Sequence, residues 1–350
     1  MKNKNLLFSS ATTAIAIIIS LSIAFILILF VSDSPSAAIQ ALLLGPFSSF
    51  RNFGTVITLA STVTFTGLAV CIMFQASMFN MCAEGSFFLG ALIAAAAATS
   101  FGLPPGLALI IPMLCGAAAG GLLCSVSAVL KAKVNANEMV SSLMLNYVAL
   151  FAGLYLMNTY FRDDTYGALA SKKLPESSVL VKCVPGTGIH VGVILAIVLI
   201  ILCYLFIYKT KAGYEIRVMG QNAKYAKYTG ISVGGAVILS QVIGGAIAGL
   251  GGAVEVMGMY ARFQWTTLPG YGWDGVIIAI LARNKPQFVP LAALFLAYLR
   301  VGANVMARVT DVPSEIITVI QAIMIMLVTA TALLGRMKQR AVEKEVLTNE

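Results

Sequence analysis

Long runs of apolar residues follow one another along this chain and are separated by short polar segments. A run of about 20 apolar residues makes a helix long enough to cross a bilayer. The pattern predicts about ten such helices, and the third and eighth are short enough to cross only part of the bilayer. Their expected bounds are 12–31, 54–74, 86–101, 106–130, 139–159, 189–208, 233–257, 273–282, 287–305 and 315–334.

The composition supports a lipid environment for these helices. Of the 350 residues, 59% are hydrophobic and 11% are charged, whereas soluble domains carry about 25% charged residues. We therefore predict an all-α polytopic membrane protein. The formal charge of +9 does not indicate nucleic-acid binding, because the basic residues are spread over short loops and form no single patch.

The distribution of Lys and Arg predicts how the chain is oriented. If both termini are cytoplasmic, the cytoplasmic segments hold 15 basic residues and the outer segments hold 7, with Arg300 inside a span. Cytoplasmic loops carry the excess of Lys and Arg. This orientation places a polar, basic segment, 209–231, in the cytoplasm.

Two segments 190 residues apart indicate an internal repeat. "AEGSFFLGALIAA" begins at Ala83 and "WDGVIIAILARNK" begins at Trp273, and each contains an acid–Gly pair headed by Glu84 or Asp274. The same offset aligns the second to fifth runs with the seventh to tenth. Because the third run then points outward and the eighth inward, the halves are predicted to be inverted repeats of five helices, a frequent plan in transporters. The alternative is chance, since carboxylates suit helix N-termini.

This arrangement predicts a single permease-like membrane domain over the whole chain. Its expected parts are a first repeat at 12–159, an outer loop at 160–188, a second repeat at 189–334, the cytoplasmic loop at 209–231 and a cytoplasmic tail at 335–350.

The cytoplasmic loop contains the stretch "GYEIRVMGQNAKYAKYTGIS", which runs from Gly213 to Ser232. Asn222 is a favourable N-cap and Gly230 a favourable C′ residue, so "AKYAKYT" predicts a two-turn helix. Pairs spaced three residues apart share a face of such a helix. These pairs are Ala223/Ala226, Lys224/Lys227 and Tyr225/Tyr228. The helix suits docking into a groove of a partner, and the residues alone allow equally that it lies on anionic lipid.

The same stretch resembles the cytoplasmic coupling segment of ABC importer permeases in the branched-chain amino acid, ribose and nucleoside group. The positions that match the family pattern in register are Gly213, Arg217, Gly220, Asn222, Ala226, Gly230 and Ile231. The resemblance implies that this segment transmits movement from an ATPase subunit to the membrane helices. It also implies the fold of a type II importer.

Three further segments extend the resemblance over nearly the whole chain. They are "GLAVCIMFQASMFNMCAEGSFFLGA" (67–91), "NEMVSSLMLNY" (137–147) and "LPGYGWDGVIIAILARNKP" (268–286). The last two most resemble permeases for purine and other nucleosides, with a ribose-type sugar permease as the alternative. The chain departs from the family pattern at Gln75, Cys82, Ser86 and Ala282, and these departures weaken the substrate assignment.

The resemblance implies a transport subunit without catalytic or metal-binding residues of its own. A phosphate-binding Walker A loop needs a Gly-Lys pair, and the chain contains none, so ATP is expected to bind a separate ATPase subunit. The other implied partners are an extracytoplasmic binding lipoprotein, membrane lipid and a second permease, in a heterodimer or alternatively a homodimer. The expected location is the plasma membrane of a bacterium.

Polar and aromatic residues within the spans are candidates for the translocation pathway, because ionisable groups in a membrane are often functional. The candidates are Asn80, Glu84, Asn146, Glu255, Tyr271, Trp273 and Asp274. For Glu84 and Asp274 the alternative is a structural role, in which each carboxylate caps a short helix. A secondary transporter driven by an ion gradient remains a more distant alternative, since inverted repeats and broken helices fit that class too. A purely structural scaffold would leave the polar residues at the helix breaks unexplained.

Overall fold

A computed structural model describes residues 32–102 and 104–313, together with positions 22–23, 25–26, 28–30, 318–319 and 322–323. Within these residues the structure is helical and contains no strand, apart from isolated bridges at Arg162–Ser171 and Lys182–His190. The predicted all-α class is therefore confirmed. The first and last predicted runs and the C-terminal tail lie mostly outside the described residues.

Between Pro35 and Val309 the described residues form eleven α-helices. They are α1 (Pro35–Leu44), α2 (Phe50–Gln75), α3 (Ala83–Ser100), α4 (Ile110–Val134), α5 (Glu138–Leu156), α6 (Gly192–Lys209), α7 (Lys211–Gln221), α8 (Ala223–Tyr228), α9 (Val233–Glu255), α10 (Tyr271–Leu281) and α11 (Val289–Val309). The 3₁₀ turns are Gly45–Phe47, Glu176–Ser178 and Pro286–Phe288, and the π-helical turns are Met157–Phe161 and Val256–Tyr260.

Seven helical segments of the described chain are long and apolar enough to span a membrane. This supports a polytopic membrane protein, while the predicted count of ten is not confirmed. The third predicted helix is longer than expected, since α3 has 18 residues, and the eighth is short as predicted, since α10 has 11. The short helix α1 was not predicted, because a search for 20-residue runs misses a helix of 10 residues.

The chain forms two compact units, and the smaller comprises residues up to Ser49 and from Tyr298 onward. Within it, α1 packs closely on the second half of α11, where a Cβ added to Gly302 would lie 2.2 Å from the Leu42 carbonyl oxygen. The Asp311 carboxylate accepts hydrogen bonds from the Ser32 hydroxyl at 2.8 Å and from a backbone N–H at 2.9 Å. These contacts join the N-terminal and C-terminal parts of this unit.

The larger unit, Phe50–Ala297, is built around backbone-to-backbone contact between α4 and α9. A Cβ added to Gly120 would lie 2.3 Å from the Gly245 carbonyl oxygen, and one added to Gly249 would lie 2.3 Å from that of Gly116. Glycines let helices approach this closely in a membrane, where close packing replaces the hydrophobic effect. The third partner is α3, because Gly90 meets the backbone of Gly249.

Two of the helix contacts are reciprocal between the two predicted repeats. α2 packs on the short helix α10, where Gly67 meets Ile278, while α9 packs on α3, where Gly252 meets the Phe87 carbonyl. The second helix of each predicted repeat thus contacts the third helix of the other. Inverted repeats would produce this exchange, and the repeat itself stays a prediction.

The segment that joins α5 to α6 is tied to the chain that follows α9. The N–H groups of Ser171, Leu174 and Leu180 donate to carbonyls of the 257–263 segment at 2.8–2.9 Å. The Asp163 carboxylate binds Arg262 at 2.6 Å. Hydrogen bonds from Thr165 and then from Arg262 lower the pKa of Asp163 to about 2. These contacts pack the segment against the chain that follows α9.

Candidate coupling segment and helix junction

The predicted coupling segment begins with a tight reversal between α6 and α7. The Thr210 hydroxyl caps α7 by accepting a hydrogen bond from the Gly213 N–H at 3.1 Å. A Cβ added to Gly213 would lie only 2.1 Å from the Phe206 carbonyl oxygen. Glycine is required here because any side chain would push α7 away from the end of α6.

The other end of α7 rests on the end of α2. A Cβ added to Gly220 would lie 2.0 Å from the Gln75 carbonyl oxygen. The Ser77 hydroxyl donates to the Gly220 carbonyl at 2.5 Å. These contacts attach the predicted coupling segment to the membrane helices. We call the side of the bundle that carries α7, α8 and the C-terminal end of α2 the α8 end.

Helix α8 has the caps that the sequence predicts. The Asn222 side chain accepts a hydrogen bond from the Tyr225 N–H at 3.0 Å, as an N-cap does. Gly230 is left-handed, with φ +82°, and the Ile231 N–H then bonds to the Ala226 carbonyl at 2.9 Å. This is the backbone geometry for which a C′ glycine is preferred.

The predicted small-residue face of α8 has one buried member. Ala226 is fully buried against a cluster that includes Ala76, Ile216 and Met219, whereas Ala223 is exposed. The aromatic and basic residues project outward, and Tyr228 is 91% exposed. The exposed residues are Lys224, Tyr225, Lys227 and Tyr228. Beside them lies a cleft of ≈ 360 Å³, lined by Lys211, Tyr214, Glu215, Thr229, Gly230 and Ile231.

The α8 end is also linked to the short helix α10. The Gln75 side-chain amide donates to the Asn284 carbonyl at 2.5 Å, just beyond the end of α10. Arg283 and Asn284 are both left-handed, with φ +54° and +55°, a conformation that costs free energy in residues other than glycine. Gln75 therefore contacts both α7, through its carbonyl, and the turn that ends α10, through its amide.

The start of α10 meets the start of α3 inside the bundle. The two oxygens of Glu84 accept hydrogen bonds from the N–H groups of Gly270, at 2.6 Å, and Gly272, at 2.5 Å. With 11 residues, α10 is about 16 Å long, so this junction lies roughly half the thickness of a 30 Å hydrocarbon core from the α8 end. Glu84 thus caps the short helix of the other predicted repeat.

The start of α3 is held by amide side chains. Asn146 of α5 accepts from the Gly85 N–H at 2.9 Å and donates to the Met81 carbonyl at 3.0 Å. Asn80 accepts from the Cys82 N–H at 2.7 Å and donates to the Ser127 hydroxyl of α4 at 2.9 Å. Both predicted pathway amides are therefore buried and engaged within the chain.

The remaining predicted pathway residues lie around the same junction. Glu255, which is buried, accepts a hydrogen bond from the Thr62 hydroxyl and another from Tyr271. Asp274 is buried on the first turn of α10. Trp273 is different, because its side chain is 48% exposed. The structure thus brings Glu84, Glu255 and Tyr271 together at the junction, and Trp273 is the exposed member of the set.

Sequence reasoning missed two groups of residues at this junction. The Thr62 hydroxyl donates to Glu255, and the Ser142 hydroxyl accepts from the Met81 N–H. A single hydroxyl inside an apolar run gives no sequence signal that it has such a partner. Trp265 packs near the rings of Phe87, at 5.6 Å, and Tyr260, at 5.7 Å. The sequence signal for this aromatic group was the set of three aromatic residues between α9 and α10, which are Tyr260, Phe263 and Trp265.

The described residues contain no group of three or more His, Cys, Asp or Glu side chains arranged to hold a metal ion. The class of protein is defined by the membrane-spanning helices, the two helix starts that meet inside the bundle and the docked α7–α8 segment. Residues 52–329 match the family described as the branched-chain amino acid transport system permease component.

Individual relatives agree with this match. The chain is 31% identical to the guanosine ABC transporter permease NupP of Bacillus subtilis, over 93% of this chain and 96% of the relative. It is 26% identical to the nucleoside ABC transporter permease NupB of Lactococcus lactis, over 93% and 92%. It is 29% identical to the glucose ABC transporter permease TsgB13 of Haloferax volcanii, over 90% and 86%. No solved structure matches. The chain belongs to the branched-chain amino acid transport system permease family.

Proposed function

We propose that this chain is the membrane-spanning subunit of an ATP-driven importer for nucleosides, with purine nucleosides favoured. The observation that carries the proposal is α8, a capped helix docked through Ala226 that presents lysines and tyrosines to a partner. Two relatives named as guanosine and nucleoside permeases, aligned over nearly their whole length, support the substrate class.

The α8 end is proposed to face the cytoplasm, with both termini on that side, in the plasma membrane of a bacterium. The excess of Lys and Arg at this end supports the orientation. Single cysteines at Ser177 and at Lys224, in a background without the native cysteines, test it. An impermeant thiol reagent should label Ser177→Cys in intact cells and Lys224→Cys only after lysis. Labelling of Lys224→Cys in intact cells would contradict the orientation.

The partners are proposed from the family resemblance. ATP binds separate ATPase subunits, an extracytoplasmic lipoprotein delivers the substrate, and a second permease, different or identical, completes the pathway. The chain itself is proposed to supply no catalytic residue and to bind no cofactor.

Coupling is proposed to run through the contacts of Gln75. When the ATPase subunits close, α8 and α7 move together, because Ala226 and Ile216 share one buried cluster. Gly220 passes the movement to Gln75, and the Gln75 amide passes it to Asn284 at the end of α10. α10 in turn holds Glu84 at the start of α3. Each contact is proposed to be more favourable in one of two arrangements of the bundle than in the other. Coupling between distant sites requires such a difference in free energy.

The pathway is proposed to open beside the junction of α3 and α10. A nucleoside is a neutral sugar with a flat base, and its passage needs apolar walls, rings and a few hydrogen-bonding groups. Trp273 has an exposed ring, and Tyr271 and Glu255 offer polar atoms when the junction loosens. Four polar residues are proposed to shape the pathway by fixing the two helix starts. They are Asn80, Glu84, Asn146 and Asp274. The predicted inverted repeats place these starts opposite each other.

Uptake of labelled substrates by the reconstituted complex tests the proposal. Labelled inosine, guanosine and adenosine should accumulate when ATP is supplied, and proton uncouplers should not reduce uptake at constant ATP. Gly230→Leu should uncouple ATP hydrolysis from uptake, because leucine disfavours the positive φ that closes α8. Gly167→Leu is the matched control, because this exposed glycine has open space around a Cβ and a negative φ. ATP-independent uptake by the isolated chain would favour an ion-coupled transporter instead.

A sugar permease is the second candidate, because the glucose permease TsgB13 aligns over 90% of this chain. Uptake of labelled glucose or ribose, without uptake of any nucleoside, would replace the nucleoside assignment and leave the permease assignment intact.

A further inference from the structure

Glu255 is a buried carboxyl group with no cation paired to it. Its side chain lies at the end of α9 and is 3% exposed. None of the ion pairs among the described residues includes it. An unpaired carboxylate is costly to bury, and the cost disappears when the group binds a proton. The surroundings therefore favour a neutral carboxyl group over an ionised one.

The hydrogen-bond partners of Glu255 suit both protonation states. The Thr62 hydroxyl contacts a Glu255 oxygen and also lies 3.2 Å from the Thr58 carbonyl oxygen. Because a hydroxyl both donates and accepts, Thr62 can donate to the ionised group, or accept from the protonated group and donate to Thr58. Tyr271, the second partner, also bonds through a hydroxyl. Glu84 differs, since it accepts from two backbone N–H groups, which can only donate.

A chain of side-chain hydrogen bonds leads away from Glu255. Tyr271 bonds to Glu255 and to Tyr260. The Trp265 indole N–H donates to the same Tyr260 hydroxyl. Both tyrosines are partly exposed, whereas Glu255 is buried. Each hydroxyl in such a chain can accept one proton and pass on another, so the chain gives a proton a route that a larger ligand could not use.

This chain reaches the surface away from the α8 end. α9 begins at Val233, two residues after the Ile231 that closes α8, and Glu255 is its last residue. The π-helical turn that carries Tyr260 follows α9 directly. The partly exposed hydroxyls therefore lie toward the side of the membrane opposite the α8 end.

The charged groups packed around Glu255 do not supply the missing cation. α2 and α4 contain no Asp, Glu, His, Lys or Arg at 56–75 and 110–130. Arg262 is engaged with Asp163 at 2.6 Å. Burial, and then Lys182, lower the pKa of His190 to about 4, so this side chain beside Gly258 is uncharged at neutral pH. The other titratable groups of the surrounding elements are Cys71, Glu84, Cys115, Cys124, Tyr260, Tyr271 and Asp274.

We propose that Glu255 is a proton-binding site, occupied while the junction of α3 and α10 is closed and filled from the side opposite the α8 end. Opening of the junction admits water, and a carboxyl group in water gives up its proton and becomes a carboxylate at neutral pH. The proton returns by the same route, so none crosses the membrane. Proton binding therefore stabilises the closed junction. The site does not depend on the cargo, whereas its effect on uptake rests on the proposed function.

Infrared spectra of the reconstituted full-length complex test the site without any cargo. The C=O stretching band of protonated carboxyl groups is identified at neutral pH by its shift in deuterated water. Glu255→Gln should remove intensity from this band. Glu176→Gln, the matched control in the segment between α5 and α6, should leave the band unchanged, because an exposed carboxyl group is ionised at neutral pH. An unchanged band in Glu255→Gln would overturn the proposal.

Two further variants keep the carboxyl group and test its surroundings. Thr62→Val removes one hydrogen-bond partner of Glu255 and should shift the frequency of the band. Tyr260→Phe interrupts the chain and should slow exchange of the proton for deuterium without removing the band. A band that is unaffected in frequency by Thr62→Val would show that the protonated group lies elsewhere and would contradict the proposal.

ATP-driven uptake gives the functional readout, with ATP inside the vesicles and the pH varied outside. Wild type and Glu176→Gln should lose uptake as the outside becomes more acidic, by at most about tenfold per pH unit, the limit for one proton. Glu255→Gln is permanently neutral, so its uptake should be slow and independent of the outside pH. An unchanged pH dependence in Glu255→Gln would overturn the proposal, as would acidification of the vesicle interior in step with uptake. Loss of the infrared band in Glu255→Gln, with no nucleoside uptake by wild type, would support the site and contradict only the proposed function.

Discussion

The starts of α3 and α10 occupy corresponding places in the two predicted repeats and are held in different ways. α3 is held by the neutral amides of Asn80 and Asn146, which join it to α4 and α5 of the same repeat. α10 is held by the Glu84 carboxylate, which belongs to the other repeat.

The two kinds of tie have different consequences. The amides tie the start of α3 to its own predicted repeat. The Glu84 carboxylate ties the start of α3 to the start of α10, because Glu84 lies on the first turn of α3. A charge-assisted hydrogen bond to a carboxylate is about twice as strong as a neutral one, so the tie between the halves is also the stronger. The starts of α3 and α10 are therefore expected to move together, and the position of each depends on both halves.

Glu84→Ala is expected to have the largest effect. It removes two charge-assisted hydrogen bonds and leaves the part-buried N–H of Gly270 and the buried N–H of Gly272 without these acceptors. We expect a loss of about 3–5 kcal/mol in the free energy of unfolding and loss of ATP-driven uptake. Denaturant titration in detergent and uptake in vesicles measure these effects. Glu84→Gln keeps one acceptor and should retain part of both; if Glu84→Ala were as stable as wild type, the carboxylate would not hold α10.

Gly272→Ala is expected to have the next largest effect. The added methyl group would lie 2.4 Å from the Glu84 backbone nitrogen, and a backbone atom cannot rotate out of the way. We expect a loss of about 2–3 kcal/mol in unfolding free energy, as for overpacked cores. The same measurements apply, and Gly106→Ala, where the Cβ meets open space, is the matched control. An unchanged Gly272→Ala protein would show that the two helix starts are further apart.

Asn146→Leu is expected to have a smaller effect, limited to the start of α3. It frees the Gly85 N–H and the Met81 carbonyl, at a cost of about 2 kcal/mol. Maximal uptake should fall more than apparent affinity changes, because the binding protein makes the first selection of substrate. A large change in apparent affinity with normal maximal uptake would instead place Asn146 in contact with the substrate.

Gln75→Met is expected to have the smallest effect on stability, about 1 kcal/mol, because it removes one hydrogen bond to Asn284. Its effect on function should be larger. ATP hydrolysis should continue while uptake per ATP falls, since α7 loses its link to α10. Ser125→Ala, which removes an exposed hydroxyl bonded within α4, is the control. An unchanged ratio of uptake to hydrolysis would show that coupling avoids Gln75.

Much of the fold could be predicted from the sequence because it depends on local patterns. Apolar length predicted the helices from α2 to α6 and from α9 to α11, and the caps of α8 followed from Asn222 and Gly230. The helix α7 was missed because it is polar and short. The helix α1 was missed because its apolar run is half the length of a span.

The candidate site was harder to predict because its contacts join distant parts of the chain. An acid at a helix N-terminus suggests that it caps its own helix, but Glu84 bonds to residues 186 and 188 positions away. Asn80 and Asn146 were predicted to lie along the translocation pathway, and this stays a prediction. The sequence could not show that their amides hold the backbone at the start of α3. Polarity in an apolar run indicates that a group needs a partner, and only the fold reveals which one.

The glycine contacts between α4 and α9 have a consequence for how the molecule changes shape. Side chains in a packed interface can switch rotamers and let two helices slide, but Gly116, Gly120, Gly245 and Gly249 have none to switch. We therefore expect the two helices to move as one rigid unit, so that a change between outward-open and inward-open states would tilt the pair as a whole. Spin labels on the exposed faces of α4 and α9 should keep a constant separation through the ATP cycle, while their distances to α10 change.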